Sequence, residues 1–487
     1  NEGKIQLSRD GETIYELSYV DVGKAVSELG RRGAELIVYD SKKYYNDYDS
    51  IPDDYLFSYD VMLAEYVIDP SEGSYAPERI KLKYLGATGD SLNAAELYRL
   101  WQSTLEVIRE RGQEKLLFCV EQPLAKVLSR MEKVGFKVDI NGLMSFSSKL
   151  GDAADEVRER IYFEAGVEFN INSPKQLGEV LFERLGLPSG KKTKSGYSTS
   201  AEVLERLAPY SPIVTDILEY RQLTKLKSTY GDGLVKAADR DGLIHTSFNQ
   251  TITATGRLSS TEPNLQNIPV RTELGRELRR FFIPHDEGRV LIDADYSQIE
   301  LRLLAHISGD ETMIEAFKNG IDIHTVTASQ AFGVPIEAVT PEMRKRAKAV
   351  NFGIVYGISD FSLAQDIGVT KKQAGEYIDA YLAKYPKVAG YLKDIVARAY
   401  EDGYVTTLLG RRRYIPELSS GKKMLKAFGE RVAMNSPIQG TAADIIKLAM
   451  INVDRALRDS KLDAKLILQV HDELIVDASR DDAEAAK

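Results

Sequence analysis

Over residues 1 to about 118, short apolar runs alternate with stretches of helical period. Ala34–Tyr39 has the length and composition of a strand and Val61–Ile68 repeats apolar side chains at helical spacing, which predicts an α/β unit. Gly73–Pro77 reads as a loop. Leu117–Phe136 and the highly charged amphipathic stretch Asp152–Ala165 then predict an elongated helical region. From Arg289, Val-Leu-Ile predicts a short strand that runs into Asp293-Ala-Asp295 and then a helix over Gln298–Ile307. Thr340-Pro341-Glu342 supplies a capping hydroxyl, a proline at the first helical position and an acid in the first turn, so a helix should run from there to about Tyr356. Lys465–Gln469 and Leu474–Val476 predict two strands joined by the tight connection Val470-His471-Asp472-Glu473.

Composition bounds the partners of this chain. At 487 residues it should form several packed units, and its 43% hydrophobic and 28% charged content is that of an ordinary globular protein. No stretch approaches a membrane span, no signal peptide is visible at Asn1–Asp10, and a cytoplasmic, nucleoid-associated location is the expectation. The single cysteine, Cys119, permits neither an internal disulfide nor a thiolate zinc cluster, so any metal must be held by oxygen. Net charge is −9, but residues 1–120 carry −8 of it. The remainder is nearly neutral and holds basic clusters at Lys191-Lys192-x-Lys194, Arg344-Lys345-Arg346-x-Lys348, Arg411-Arg412-Arg413 and Lys422-Lys423, and such local patches decide phosphate binding. The first lies in Gly186–Ser200, which superficially resembles a phosphate-binding loop. Only three residues separate Gly186 from Gly190, and an extra lysine precedes Thr193, so a flexible basic loop near nucleic acid is the better reading.

Asp295 and Asp472 lie 177 residues apart, yet each closes a short apolar strand. On adjacent strands the two carboxylates could bridge a pair of Mg²⁺ ions about 3.5–4 Å apart, as phosphoryl-transfer enzymes need. A lone aspartate at a strand end more often caps a turn. The helix from Thr340 changes that balance. Arg344, Lys348, Phe352 and Tyr356 recur every fourth residue and share one face that passes from cationic to aromatic, a surface suited to a nucleoside triphosphate, with Gly353 and Gly357 leaving room beside the rings.

Asp295-Tyr-Ser-Gln-Ile-Glu-Leu-Arg302, Arg344-x3-Lys348-x3-Phe352-Gly-x2-Tyr356-Gly357 and Gln469-Val-His-Asp472-Glu473 resemble the three polymerase motifs of family A DNA polymerases. Thr255-Gly-Arg257, Asn264-Leu-Gln266-Asn267 and Arg431-x3-Asn435-x3-Gln439-Gly extend the resemblance over residues 121–479. It implies an α/β multidomain, right-hand polymerase with palm, fingers and thumb, behind an N-terminal RNase H-like 3′-5′ exonuclease-type domain. The implied boundaries are 1–118 for the exonuclease-like domain, 119–240 for the thumb, 241–298 for the first part of the palm, 299–425 for the fingers and 426–487 for the second part of the palm. The implied activity is templated addition of deoxynucleotides to a primer 3′-hydroxyl, in replication and repair. Primer-template DNA and deoxynucleoside triphosphates would be the partners of a monomer with no membrane contact. Two Mg²⁺ ions, replaceable by Mn²⁺, would be held by Asp295, Asp472 and the Tyr296 carbonyl.

The same resemblance assigns the remaining roles. Glu473 would be an auxiliary acid. Arg344, Lys348 and His324 would contact the triphosphate, with Gln298, Phe352 and Tyr356 completing the nucleotide site, and Lys348 would take part in catalysis. Glu300, hydrogen-bonded to Tyr356, would fill the space of a ribose 2′-hydroxyl, and Phe352 implies discrimination against dideoxynucleotides. Arg257 and Gln439 would probe the minor groove, where correct pairs present acceptors in similar places. Asn264, Gln266, Arg431, Asn435, His471 and the basic loop at Lys191, Lys192 and Lys194 would contact DNA. The exonuclease carboxylates are not found: Asp40 stands for the motif's asparagine, Tyr44 for a metal-binding aspartate, and Asn93 and Leu97 for a tyrosine and an aspartate. Proofreading is therefore expected to be lost. The family's palm continues beyond the last motif strand, so the chain is expected to extend past Lys487, and a 5′-nuclease domain is inferred upstream. A metal-dependent nuclease or a non-catalytic DNA-binding repair module are the rival readings. The first has no need of the cationic-aromatic helix, and the second none of carboxylates beside phosphates.

Overall fold

The computed structural model describes residues 2–188, 196–270 and 272–487. The chain divides into two compact units, one made of 1–133, 248–259 and 292–487, the other of 134–247 and 260–291.

In the first unit, residues 2–133 mix helices with short strands. Glu2–Leu7 and Tyr15–Asp21 pair antiparallel, and Ile37–Val38 pairs in parallel with Tyr59–Asp60. Among the described residues these four strands make two separate pairs, so they do not build the single sheet expected of an RNase H-like domain. The strand predicted over Ala34–Tyr39 shrinks to two residues, whereas the helix Val61–Ile68 forms as predicted. Leu117–Phe136 becomes a π-helical turn, Leu117–Glu121, followed by the helix Gln122–Val134. It stops there because Gly135 takes φ +72° and Phe136 enters a strand.

The rest of this unit carries a three-stranded sheet. Its order is Ala464–Val470, Glu473–Ser479, Arg289–Asp295, so the hairpin of the last two strands predicted from sequence lies beside the strand that ends in Asp295. Ile299–Ser308 and Pro341–Val355 pack with the 37-residue helix Lys423–Asp459 around Leu301, Leu304, Val355 and Ile438, all fully buried. Thr340 caps the Pro341–Val355 helix as its sequence implied, its hydroxyl accepting from the Met343 N–H at 3.2 Å.

Four buried charges tie distant segments of this unit together. Glu121 Oε1 accepts from Lys447 Nζ at 2.7 Å and from Arg411 Nη2, and Asp444 Oδ1 accepts from Arg411 Nε and Nη2 at 2.9 and 2.7 Å. Burial alone would raise the Glu121 carboxyl, but Lys447 and Arg411 override it and hold it at about 2. Arg411 thus corrects the reading of Arg411-Arg412-Arg413 as a phosphate-facing patch. The Arg412 guanidinium lies 4.5 Å from the Tyr404 ring centroid, and Arg413 donates to Ser71 Oγ at 2.7 Å.

In the second unit, Ile140–Ala165 lies against Pro212–Leu226. Leu143, Phe146, Leu150, Val157 and Ile161 form the buried stripe of the first helix, and Ile213, Val214, Ile217 and Leu223 that of the second. The helix begins twelve residues before the predicted Asp152, because Asp139 caps it by accepting from the Gly142 N–H at 2.9 Å. Among the described residues of the whole chain no helix is long and apolar enough to cross a membrane.

Removing the cap with Thr340→Ala should cost about 1 kcal/mol at the start of the site-bearing helix. Hydrogen exchange should quicken over residues 341–345, and unchanged exchange there would show that the hydroxyl does not hold this end.

Candidate active site

Asp295 is the last residue of its strand, and the two-residue turn His471-Asp472 connects the neighbouring pair, with His471 at φ +54°. The Tyr296 N–H donates to the Asp472 carbonyl at 3.1 Å, which fixes the strand end against the turn. Sheet order therefore brings together the two aspartates that sequence separates. Partial desolvation, then the neighbouring carboxylates of Asp472 and Asp293, raise the Asp295 carboxyl, with Lys348 opposing. Among the described residues no group of three or more His, Cys, Asp or Glu side chains is placed to hold a metal ion. Two carboxylates with a backbone carbonyl leave most of an octahedral shell open, which fits Mg²⁺ shared with water and substrate phosphates and not a resident all-protein site.

The helix Pro341–Val355 presents its four-residue stripe as expected. Lys348 Nζ lies 5.7 Å from the Phe352 ring centroid, and Phe352 and Tyr356 stack at 6.2 Å and 24°. Phe352, Tyr356 and Arg431 line a cleft of about 480 Å³. Gly357 sits at φ +66°, a left-handed conformation that favours glycine over any residue with a Cβ. Arg344 is engaged by Asp322 at 2.6 Å, and although partial burial opposes it, Arg344 and Thr325 hold the Asp322 carboxyl at about 2.

Glu300 is only 5% exposed, and its two oxygens are divided between two partners. Tyr356 donates its hydroxyl to Oε2 at 2.6 Å, and Arg257 Nη2 donates to Oε1 at 2.7 Å. Burial, reinforced by the Glu300 charge, pushes the Tyr356 phenol up. With its amide oxygen turned toward Arg257, Gln439 accepts from Nη1 and Nη2, both at 3.2 Å. Two side chains read as separate minor-groove probes therefore belong to one network with the carboxylate read as the sugar gate.

His324 is 2% exposed, and its Nδ1 accepts from Asn351 Nδ2 at 2.8 Å. Burial lowers its imidazole to about 4, Arg344 and Lys348 adding to the effect and Asp322 opposing it. At neutral pH it is an uncharged donor or acceptor, not a cation for phosphate. Gln298 adopts a left-handed conformation at φ +55°, and its side-chain oxygen is buried with no hydrogen-bond partner among the described residues, as is Asn435 Oδ1. Arg431 is exposed, its guanidinium 5.9 Å from the Phe428 ring centroid. His471 and Glu473 flank Asp472. Asn264 and Gln266 belong to the other unit, where Gln266 N–H donates to Asn264 Oδ1 at 2.9 Å in a local turn. Lys191, Lys192 and Lys194 lie outside the described residues. Sequence reasoning missed Asp322, Asn351 and Asp293. Only Asp322, capping a helix two residues before His324, left a readable signal.

The family model described as DNA polymerase family A matches residues 140–487. The chain belongs to that family. It is 49% identical over 451 residues to DNA polymerase I of Geobacillus stearothermophilus, covering 88% of this chain and 52% of that protein. DNA polymerase I of Bacillus subtilis (strain 168) is 53% identical over 392 residues, covering 80% and 44%. The chain thus spans about half the length of the family members it matches. Among solved structures, the POL domain of Pol1 from M. smegmatis, in complex with DNA primer-template and dNTP, superposes with a TM-score of 0.89 at 39% identity, covering 97% of this chain and 86% of that one. The fold is accordingly the mixed α/β right-hand fold of a family A polymerase domain.

A histidine held neutral by folding contributes stability that is fully present above its ordinary value of 6.5 and is lost as pH falls from there toward about 4. NMR of ring-labelled histidine should place the His324 midpoint near 4. A midpoint near 6.5 would mean that the ring is not held in this pocket.

Proposed function

We propose that this chain is a DNA-templated DNA polymerase that adds deoxynucleotides to a primer 3′-hydroxyl and releases pyrophosphate. The observation that carries the reading is the convergence of Asp295 and Asp472 at one sheet edge, in a family A chain whose adjoining helix presents Lys348, Phe352 and Tyr356 on one face. Primer-template DNA and deoxynucleoside triphosphates, the molecules bound in the M. smegmatis structure, are the proposed partners.

Asp295, Asp472 and the Tyr296 carbonyl would hold two Mg²⁺ ions, with Mn²⁺ as a substitute. Such ions supply Lewis acidity that eases deprotonation of the primer hydroxyl and offset the charge of the leaving pyrophosphate. Lys348, exposed and pointing along the stripe, neutralises triphosphate charge, and Arg344 joins it by exchanging Asp322 for a phosphate oxygen. Phe352 and Tyr356 give the sugar and base a flat apolar surface. Glu300, pinned by Tyr356 and Arg257 with both oxygens already engaged, leaves little space for a 2′-hydroxyl, so deoxyribose is selected by shape and by the cost of an unpaired polar group. Gln298 and Asn435, whose buried oxygens have no hydrogen-bond partner among the described residues, are suited to accept from substrate or DNA.

The N-terminal region is proposed to be exonuclease-derived and inactive. The carboxylates nearest the degenerate motif serve the backbone: Asp60 accepts from the N–H groups of Ser41, Met62 and Leu63 at 2.6, 2.9 and 3.2 Å, and Asp40 accepts from that of Lys43. Asn93 and Glu96 form a capping box for the helix Ala94–Glu110. Charges used in this way are not presented to a metal.

Primer extension with Mg²⁺ and four deoxynucleotides should proceed for the wild type and fall by about 10³ or more in Asp295→Ala and Asp472→Ala, with duplex binding retained. Absence of wild-type extension would defeat the polymerase reading in favour of a nuclease or a binding module. The same mixture without nucleotides should leave a mismatched primer at full length, and its Mg²⁺-dependent shortening would defeat the assignment of an inactive N-terminal region.

A further inference from the structure

Arg257 makes the ion pair that holds the Glu300 carboxylate, so its placement limits how firmly that carboxylate is held. The backbone that carries it is fixed from below. The Arg257 carbonyl accepts from Thr253 Oγ1 at 2.6 Å, and the Thr253 carbonyl accepts from the Tyr66 hydroxyl at 2.8 Å. Gly256, at φ +88°, rests directly on Arg411: a Cβ there would stand 2.6 Å from Nε and 3.0 Å from Cδ and Cζ. Arg411 cannot yield, because Asp444 and Glu121 grip its guanidinium and the Tyr66 ring lies 5.6 Å beneath it. Glu121 also holds the near end of the segment, its carbonyl and Oε2 accepting from Gln250 Nε2 at 3.0 and 2.8 Å. Tyr66 comes from the N-terminal region, which the polymerase chemistry leaves unused, and Glu121 from the π-helical turn Leu117–Glu121 that follows it.

We propose that Tyr66 and Glu121, acting with Arg411 on the turn 253–257, are positioning residues for Arg257 and hence specificity-determining residues for the sugar gate at Glu300. The inference rests on the polymerase reading above. It assigns the N-terminal region a part in choosing between deoxyribose and ribose although it touches no substrate. Tyr66, Glu121 and Arg411 are all buried. They act by narrowing the positions from which Arg257 can reach Glu300, and a gate held less narrowly admits a 2′-hydroxyl more often.

The test is the ratio of kcat/KM for a deoxynucleotide to that for the matching ribonucleotide in Tyr66→Phe. This change deletes one hydroxyl and keeps the ring under Arg411. The ratio should fall about 3- to 30-fold, mostly through improved ribonucleotide use. Tyr59→Phe is the control, since its buried hydroxyl donates to Thr104 Oγ1 at 2.9 Å within the same region and leads nowhere near the turn; its ratio should not move. In an Arg257→Ala background, Tyr66→Phe should have no further effect on the ratio. Thr253→Val breaks the same relay from a partly exposed loop position and should reproduce the effect should Tyr66→Phe not fold. An unchanged ratio in Tyr66→Phe or its replacement, an equal fall in Tyr59→Phe, or an additive effect with Arg257→Ala would each overturn the proposal. Those results would leave the polymerase reading standing, because that reading fails only if the wild type does not extend a primer.

Discussion

A carboxylate withdrawn from water costs several kcal/mol unless its lone pairs are met by donors and its charge by a cation. Glu300 is in that position, and meeting its requirement organises the surrounding site. Tyr356 must end its helix with the hydroxyl at one oxygen, and Arg257 must arrive from a segment far away in sequence to neutralise the other. Gln439, from the long helix, accepts from two more of the guanidinium N–H groups. Four segments of the chain are thereby held to one carboxylate. Satisfying its polar needs also fixes the walls of the space beside Phe352.

The pair proposed to hold metal, Asp295 and Asp472, shows the opposite arrangement. Asp295 is exposed, and the charges nearest to it include two carboxylates, so the protein raises its proton affinity and does not answer it fully with cations of its own. Among the described residues Lys348 acts against this, and it belongs to the stripe proposed to face a triphosphate. One carboxylate is thus closed off and neutralised internally, while a pair is left open to charge brought from outside. The first suits recognition of shape and the second suits chemistry on phosphates.

Short-range features were legible in the sequence. The Thr340 cap, the stripe from Arg344 to Tyr356, the strand end at Asp295 and the tight connection that carries Asp472 all follow from spacing and residue type, because each is settled within one turn or one strand. The bond between Tyr356 and Glu300 was available only through resemblance to the family. Ion pairs over long separations left no local trace: Arg411 reads as the first of three exposed cations, and nothing near it points to Glu121, 290 residues away. The two-residue strand Ile37–Val38 fell short of its apolar run, because of the six residues from Ala34 to Tyr39 only these two find a strand partner, at Tyr59–Asp60. Asp40 read only as a replacement for a motif asparagine and Asp60 drew no reading at all, and their use as caps is visible only once the backbone N–H groups around them are placed.

Stability alone gives no reason for four charges to lie buried beneath the turn at Gly256, since well-packed apolar side chains commonly replace such clusters at no loss. What charges add is direction. Asp444 takes both Nε and Nη2 of Arg411, which fixes the guanidinium plane, and Asp444 Oδ2 is itself fixed by the Thr407 hydroxyl at 2.7 Å. A glycine without a side chain then lies against that plane, so small displacements of the arginine pass directly into the backbone that carries Arg257. An apolar plug would fill the same volume but would let the turn slide over it, because dispersion contacts change little with lateral movement while charge-assisted hydrogen bonds do. For the proposed sugar gate such rigidity would be valuable, because the sugars to be told apart differ by a single hydroxyl and the gate must be placed to within a fraction of that group's size.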